Sequence, residues 1–211
     1  VDEALICHLA WVDQDGEPRV IPTIHARVDG VLYVHGSRAS RTLRSLRDGA
    51  SVTIAVTILD GVQFARSMFE SSMNYRSVIV YGRTREVTDS GEILTASRAI
   101  TDHVADGRSS DAREPTESEL RQTTFIAVDL DEASAKVSAG QPEDAEDDYA
   151  LDIWAGILPL RLVAGEPETD PDPRGKPGIE VPAYVRSYRR PGWQSDPARS
   201  GTTGGSDTDD R

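Results

Sequence analysis

Asp-Gly steps at Asp15-Gly16, Asp29-Gly30 and Asp60-Gly61 separate runs of β-branched and apolar residues through the first part of the chain. Tight hairpin turns need a positive φ, which glycine adopts freely and aspartate tolerates, so this punctuation predicts antiparallel strands. The runs it separates are residues 4–12, 19–28, 31–35, 52–59 and 62–69, and residues 77–87 form a further long strand. The first three read as a meander. Pro22 cannot donate a ladder hydrogen bond, so the second strand is predicted to bulge there or to lie at an edge, with backbone groups free for a ligand.

Between the third and fourth strands, residues 40–47 place Leu43 and Leu46 on one face and Arg41, Arg44 and Arg47 on others, the spacing of a short surface helix that Gly49 stops. Residues 90–104 carry Ile93, Ala96 and Ile100 at helical spacing, and Thr116 with Glu119 makes a capping box for a helix over 116–122. Residues 124–130 return to strand character and close the sheet. Few helices among many antiparallel strands imply a mainly β chain with peripheral helices, built as a small barrel. The barrel domain is expected over residues 1–164. Residues 165–211, acidic and rich in Pro, Gly, Ser and Thr, are expected to be a largely disordered tail, with a docking patch over residues 184–193.

With 23 basic against 36 acidic residues the formal net charge is -13, which argues against nucleic acid as a partner, since duplex affinity is built from Lys and Arg on phosphates. No apolar run approaches the roughly 18 residues of a membrane span, so a cytoplasmic protein without a membrane partner is expected. The single cysteine, Cys7, lies in a strand-like run and reads as a small buried hydrophobe. Histidine and cysteine spacings offer no metal site. No G-x-G-x-x-G or Walker loop points to a Rossmann or P-loop nucleotide site.

On so acidic a chain, the strand–turn–helix over residues 31–49 stands out. Ser37, Arg38, Ser40 and Arg41 cluster where backbone N–H groups open a helix, a setting for a phosphate, although an ordinary capped helix with solvated arginines uses the same residues. His35 stands at the mouth of this turn and is the candidate for orienting a substrate or donating a proton. His8, His25 and His103 read as structural. Asn74, Tyr75, Arg76 and Ser77 form a polar cluster before a strand in which Gly82 permits a close approach, and Arg76 beside Arg41 would supply a second guanidinium for a phosphate or carboxylate. Trp154-Ala155-Gly156 offers a ring to stack on a flat ligand or to fill core volume.

Taken in order, the meander, Tyr33-Val34-His35-Gly36-Ser37 with Ser40-Arg41, then Arg76-Ser77-Val78 with Gly82, and finally Trp154-Ala155-Gly156 resemble the pyridoxamine 5′-phosphate oxidase-like flavoproteins, in particular their flavin-nucleotide-binding and nitroimidazole-reductase-like branch. The resemblance implies a split β-barrel of about six to seven antiparallel strands that binds FMN as a homodimer. It implies that Val20, Ile21, Pro22 and Thr23 present backbone to the flavin edge, and that His35, Gly36, Ser37, Ser40 and Arg41 meet the phosphate. Arg76 and Ser77 match the oxidases' strand-opening motif with serine in place of glutamine, and Trp154 would approach the flavin from a partner subunit. Thr42 stands where the family commonly has lysine. The oxidases grip pyridoxal with an Arg-x-His after Trp-x-Gly; Arg161-Leu162-Val163 lacks the histidine, which argues for a different small organic substrate. The activity implied is an FMN-dependent oxidoreduction with a nicotinamide or deazaflavin as electron source. The alternative is a non-catalytic flavin- or haem-binding carrier or sensor.

Overall fold

The computed structural model describes residues 1–47, 49–172 and 174–190. Eight strands build the sheet: β1 (Ile6–Val12), β2 (Pro18–Val28), β3 (Val31–Ser37), β4 (Ser51–Phe64), β5 (Ser72–Glu86), β6 (Thr123–Asp129), β7 (Glu132–Ser138) and β8 (Gly156–Pro159). All pairings are antiparallel, and the order β5-β6-β3-β2-β1-β4 closes on itself through β4–β5, leaving β7 and β8 as outer additions. The mainly β split barrel read from the sequence is therefore the observed architecture. Alternation fills it: Cys7, Leu9 and Trp11 of β1 point into a core with Leu32, Val34, Ile54, Val80 and Ile126, while Ile6, His8 and Val12 point out. Burial pushes the Cys7 thiol up to about 12, so it packs as a hydrophobe.

The helices are peripheral, as expected. α1 (Arg41–Leu46) packs Leu43 and Leu46 onto one end of the barrel, and Gly49 at φ 73° ends the connection that follows. α2 (Ser90–Val104) covers the outer faces of β2, β3 and β6 through Ala96 and Ile100 against Ala26, Tyr33 and Phe125. A short turn of helix, α3 (Arg108–Asp111), follows, and α4 (Glu117–Gln122) opens on the capping box of Thr116 and Glu119.

Two sequence expectations are corrected. Asp60-Gly61 is not a hairpin: β4 runs straight through it, with the register shifting between Leu59 and Gly61. The extra residue, Asp60, turns its carboxylate to Arg76 and its carbonyl to the amide of Leu160 at 3.0 Å, so the Asp-Gly pair serves a bulge. The turn falls at residues 65–71, and Asn74, Tyr75, Arg76 and Ser77 lie inside β5 rather than before it. β7 was not anticipated because its sequence, EASAKVS, is exposed along nearly its whole length and lacks an apolar face.

Beyond the barrel, α5 (Ala183–Arg186) and the residues after it pack on the α2–α3 region. The Tyr184 hydroxyl donates to Asp111 at 2.7 Å, the Tyr188 hydroxyl donates to the Val104 carbonyl at 2.7 Å, and the buried Arg190 guanidinium donates to the Asp2 carbonyl at 2.7 Å. The docking patch expected over 184–193 lies within the described residues only as far as Arg190.

Candidate functional site

Two partings of the barrel create the spaces in which a ligand can sit. β2 pairs with β1 without a register shift from Pro18 to Ile24, but its ladder to β3 stops at His25 and Val34. The opposite edge of residues 18–24 is therefore unpaired, and Pro22 marks an edge rather than a bulge. Beyond Val34, β3 continues alone with β6 through His35, Gly36 and Ser37 into α1. A Cβ on Gly36 would come within 2.8 Å of Leu43, so glycine is what lets α1 pack so closely to the strand.

Between the free edge and α1 lies a crevice of about 240 Å³ lined by Trp11, Val20, Ile21, Thr42 and Ser45, with Arg19 and Arg41 beside the Asp13 carboxylate. Trp11 Nε1 and His35 Nδ1 are buried without hydrogen-bond partners. Buried polar atoms are nearly always paired, so the unpaired Trp11 Nε1 on the crevice wall is a donor that a ligand acceptor could satisfy. Burial pushes the His35 imidazole below its ordinary range, and its ring stacks on Phe125 at 5.8 Å. His35 is therefore a neutral ring at neutral pH, suited to orienting a ligand rather than delivering a proton from an imidazolium.

The cations around α1 differ in availability. Ser40, the N-cap residue, makes no capping hydrogen bond with its side chain, while the Ser37 hydroxyl accepts from Ala39 N at 3.3 Å. Arg41 donates to Asp15 at 3.0 Å in an exposed pair. Such a pair contributes roughly 0–1 kcal/mol, so a phosphate can take Arg41 from it. Arg44 faces a second hollow of about 220 Å³ with Arg41 and Ser45. Arg47 is committed to Thr124 at 2.9 Å.

Arg76 is not part of this end. It donates to both Asp60 oxygens at 2.8 Å and also grips Glu3 with both terminal nitrogens. Those carboxylates hold its guanidinium firmly charged, and Arg76 in turn holds the Asp60 carboxyl below the usual range. Arg41 sits beside the β1–β2 turn, beyond the level of Trp11 and Val52, whereas Arg76 pairs with Ile58. Between Arg83 and Arg76 alone, β5 spans seven residues, on the order of 20 Å of strand. Within one chain the two guanidiniums do not converge. Trp154 lies toward the Arg76 end, 69% exposed, its ring 5.8 Å from Phe64 and folded over Gly156. Ser77 is on β5 beside Arg76.

The second parting is at that end. β1 leaves β4 below His8 and Ala55, and a cleft of about 660 Å³ opens between Leu5, Ile6, Ile58, Leu59, Leu160 and Leu162. Arg161 stands at its rim with no ion pair among the described residues. His8, read from the sequence as structural, is exposed on the outer face of β1. The period-two pattern carried that signal, since Cys7 and Leu9 inside force His8 outside.

The family profile described as pyridoxamine 5′-phosphate oxidase matches residues 1–137. Among solved structures, the chain is similar to the FAD and heme binding protein from Mycobacterium smegmatis, with 38% identity, a TM-score of 0.82, and 88% of this chain and 90% of that one covered. It is also similar to the flavocytochrome Anf3 from Azotobacter vinelandii, with 32% identity, a TM-score of 0.81, and coverage of 89% and 86%. No curated protein matches the chain.

Proposed function

The chain belongs to the pyridoxamine 5′-phosphate oxidase family, and from that premise we propose that it is a flavin-dependent oxidoreductase whose flavin lies between two copies of the chain. One observation carries the shared site. The residues expected to hold a flavin fall into two groups at opposite ends of one barrel: the β2 edge with His35, Ser37, Ser40 and Arg41, and the Arg76, Ser77 and Trp154 end. Between them the outer face is apolar and uncovered, with Val20 64%, Val12 63%, Ile6 47%, Leu59 43% and Ile24 37% exposed. A two-fold pairing of these faces joins one end of each copy to the other end of its partner, so two complete sites form together.

In each site the free edge of residues 20–23 offers backbone donors and acceptors to the polar rim of a flavin ring, and the neutral His35 ring orients what lies beside it. Arg41, Ser37 and Ser40 hold the ribityl phosphate, a group that FMN and FAD share; α1 is too short for its dipole to matter much beside the guanidinium charge. The flavin supplies hydride and electron transfer when bound, and Trp154 of the partner subunit closes the site from water. FMN is the expected flavin; the hollow that holds Arg44 beside Arg41 is also lined by Asp13 and Asp15, so it offers a second phosphate no clear cationic seat. The substrate is a small organic molecule, and the reductant a nicotinamide or deazaflavin.

The other reading, a carrier or sensor that holds flavin or haem without turnover, is favoured on one point. Both similar structures are described as flavin and haem proteins, and the chain has a second cleft of about 660 Å³, with apolar walls from Ile6, Ile58, Leu59 and Leu160 and with Glu3, Asp60, Arg76 and Arg161 also lining it, a size suited to another flat cofactor.

The test is the purified protein's absorbance and the mass of the extracted ligand, which tells FMN from FAD. Arg41→Ala is expected to weaken flavin binding roughly 10- to 100-fold, the value of a charge-assisted hydrogen bond. A colourless protein that takes up neither flavin on reconstitution would overturn the proposal. Turnover with a reductant and a substrate panel separates the enzyme from the carrier.

A further inference from the structure

We propose that residues 183–190 are a strap that holds residues 2–4 in place along the β1–β4 cleft and that acid releases, with His103 as the trigger. The device is independent of which cofactor the chain binds. Its hold is one guanidinium. Arg190, 6% exposed, donates through Nη2 to the Asp2 carbonyl at 2.7 Å and the Ala4 carbonyl at 3.3 Å, through Nε to the Glu3 carbonyl at 3.3 Å, and through Nη1 to the His103 carbonyl. Glu3 and Ala4 line the cleft, so the carbonyls that Arg190 gathers belong to its wall. The rest of the strap is held by α5, a single helical turn, and by the exposed hydrogen bonds of Tyr184 and Tyr188, which anchor it weakly without Arg190.

The same pocket holds two imidazoles whose rings are 4.5 Å apart. His103 Nε2 lies 2.8 Å from the Ala4 carbonyl and donates to it, while its Nδ1 lies 3.4 Å from Arg190 Nη2. His25 Nε2 lies 3.2 Å from the Val1 carbonyl, and His25 Nδ1 is buried without a partner. A second proton on His103 would face the guanidinium, and one on His25 would find no acceptor, so the closed pocket tolerates both rings only as neutral groups. The surrounding charges are committed elsewhere. From the N-terminal segment, Asp2 is turned to Arg27 of β2 and Glu3 to Arg76 of β5, while the Val1 amino group is a further cation. From α2, Asp102 accepts from Ser109; from α3, Arg108 and Asp111 bind the Tyr184 hydroxyl. On the strap itself the Tyr188 hydroxyl donates to Val104, and Arg189 is exposed. Burial first, then His25 and Arg190, depress His103 to about 4. When the strap leaves, the ring returns toward its ordinary value of about 6.5, so opening takes up a proton below that pH and becomes more favourable as pH falls toward 4.

The experiment is hydrogen–deuterium exchange of the full chain, corrected for the intrinsic effect of pH. It is read at the Arg186, Ser187 and Tyr188 amides, which donate within residues 182–188, and at the start of β1, with β6 as internal reference. One proton taken up on opening gives roughly tenfold per pH unit, so between about pH 7.5 and about pH 5 wild type is expected to lose at least tenfold in protection at both places while β6 keeps its own. His103→Gln, whose amide donates to the Ala4 carbonyl but takes up no proton, is expected to keep the strap closed at the lower pH. Arg190→Ala is expected to expose the strap already at the higher pH and to remove the pH dependence there. Equal protection of wild type at both pH values, the same acid loss in His103→Gln, or loss in the strap only together with β6 overturns the proposal. Opening of the strap with the start of β1 unchanged overturns its hold on the cleft wall.

Discussion

At Gly82 and Gly156 a hydrogen stands where a methyl group would collide. A Cβ at Gly82 would meet Val128 Cγ1 at 2.8 Å, at the point where β5 leaves β7 and joins β6, and Val128 is fully buried with nowhere to go. Gly82→Ala is therefore expected to cost about 1–3 kcal/mol of stability, read as a lower denaturant midpoint. At Gly156 the neighbour is the Trp154 ring at 2.8 Å, which is exposed and can swing away, so Gly156→Ala should change tryptophan emission with little loss of stability. The close approach at Gly82 was legible as a glycine inside a strand; that the approaching group is Val128 was not, because no local signal links residues so far apart in sequence. Two histidines set a pH response. Burial depresses His25, and burial with the nearby His25 and Arg190 depresses His103 to about 4. Folding keeps both neutral, so their contribution is intact above the unfolded value of about 6.5 and is lost as pH falls from there toward 4. Melting temperature should drop across that window, before the carboxylates titrate, and His103→Gln should flatten the decline.

Among the elements, α1 shows how a short helix is held. Its six residues are too few to be stable alone, and Leu43 and Leu46 on the barrel end supply what propensity does not. Leu46→Ala is expected to cost about 2–5 kcal/mol and to weaken flavin binding as well, because Arg41 rides on the same helix; calorimetry and a flavin titration read the two effects separately. The leucine spacing and Gly49 made α1 legible, as the Thr116 and Glu119 pair did α4, since both signals are local. Asp60-Gly61 misled for the same reason. A turn and a bulge ask for similar residues, and the choice between them was made by Arg76 on the next strand and by β8, which pairs with β4 from Gly61 to Phe64.

On the scale of the whole molecule, the flavin site and the pairing of two chains should be one event. Ile24→Glu places a charge on the exposed outer face at a residue that lines neither hollow, and is expected to give a monomer in sedimentation or light scattering that also fails to retain flavin. A monomer that still binds flavin at full affinity would count against the shared site. Strand periodicity, the Asp-Gly and Pro22 punctuation and the α1 leucines are short-range patterns, and short-range sterics and burial make the strands and helices from them; to that extent the sequence by itself determined a mainly β barrel with a short helix following its third strand. Where the ladders stop was decided only in three dimensions. The partings of β2 from β3 and β1 from β4, the capture of Arg76 by Asp60 and Glu3, and the distance between Arg41 and Arg76 depend on barrel closure, which pairs residues by register across the fold and has no trace in any single stretch of chain.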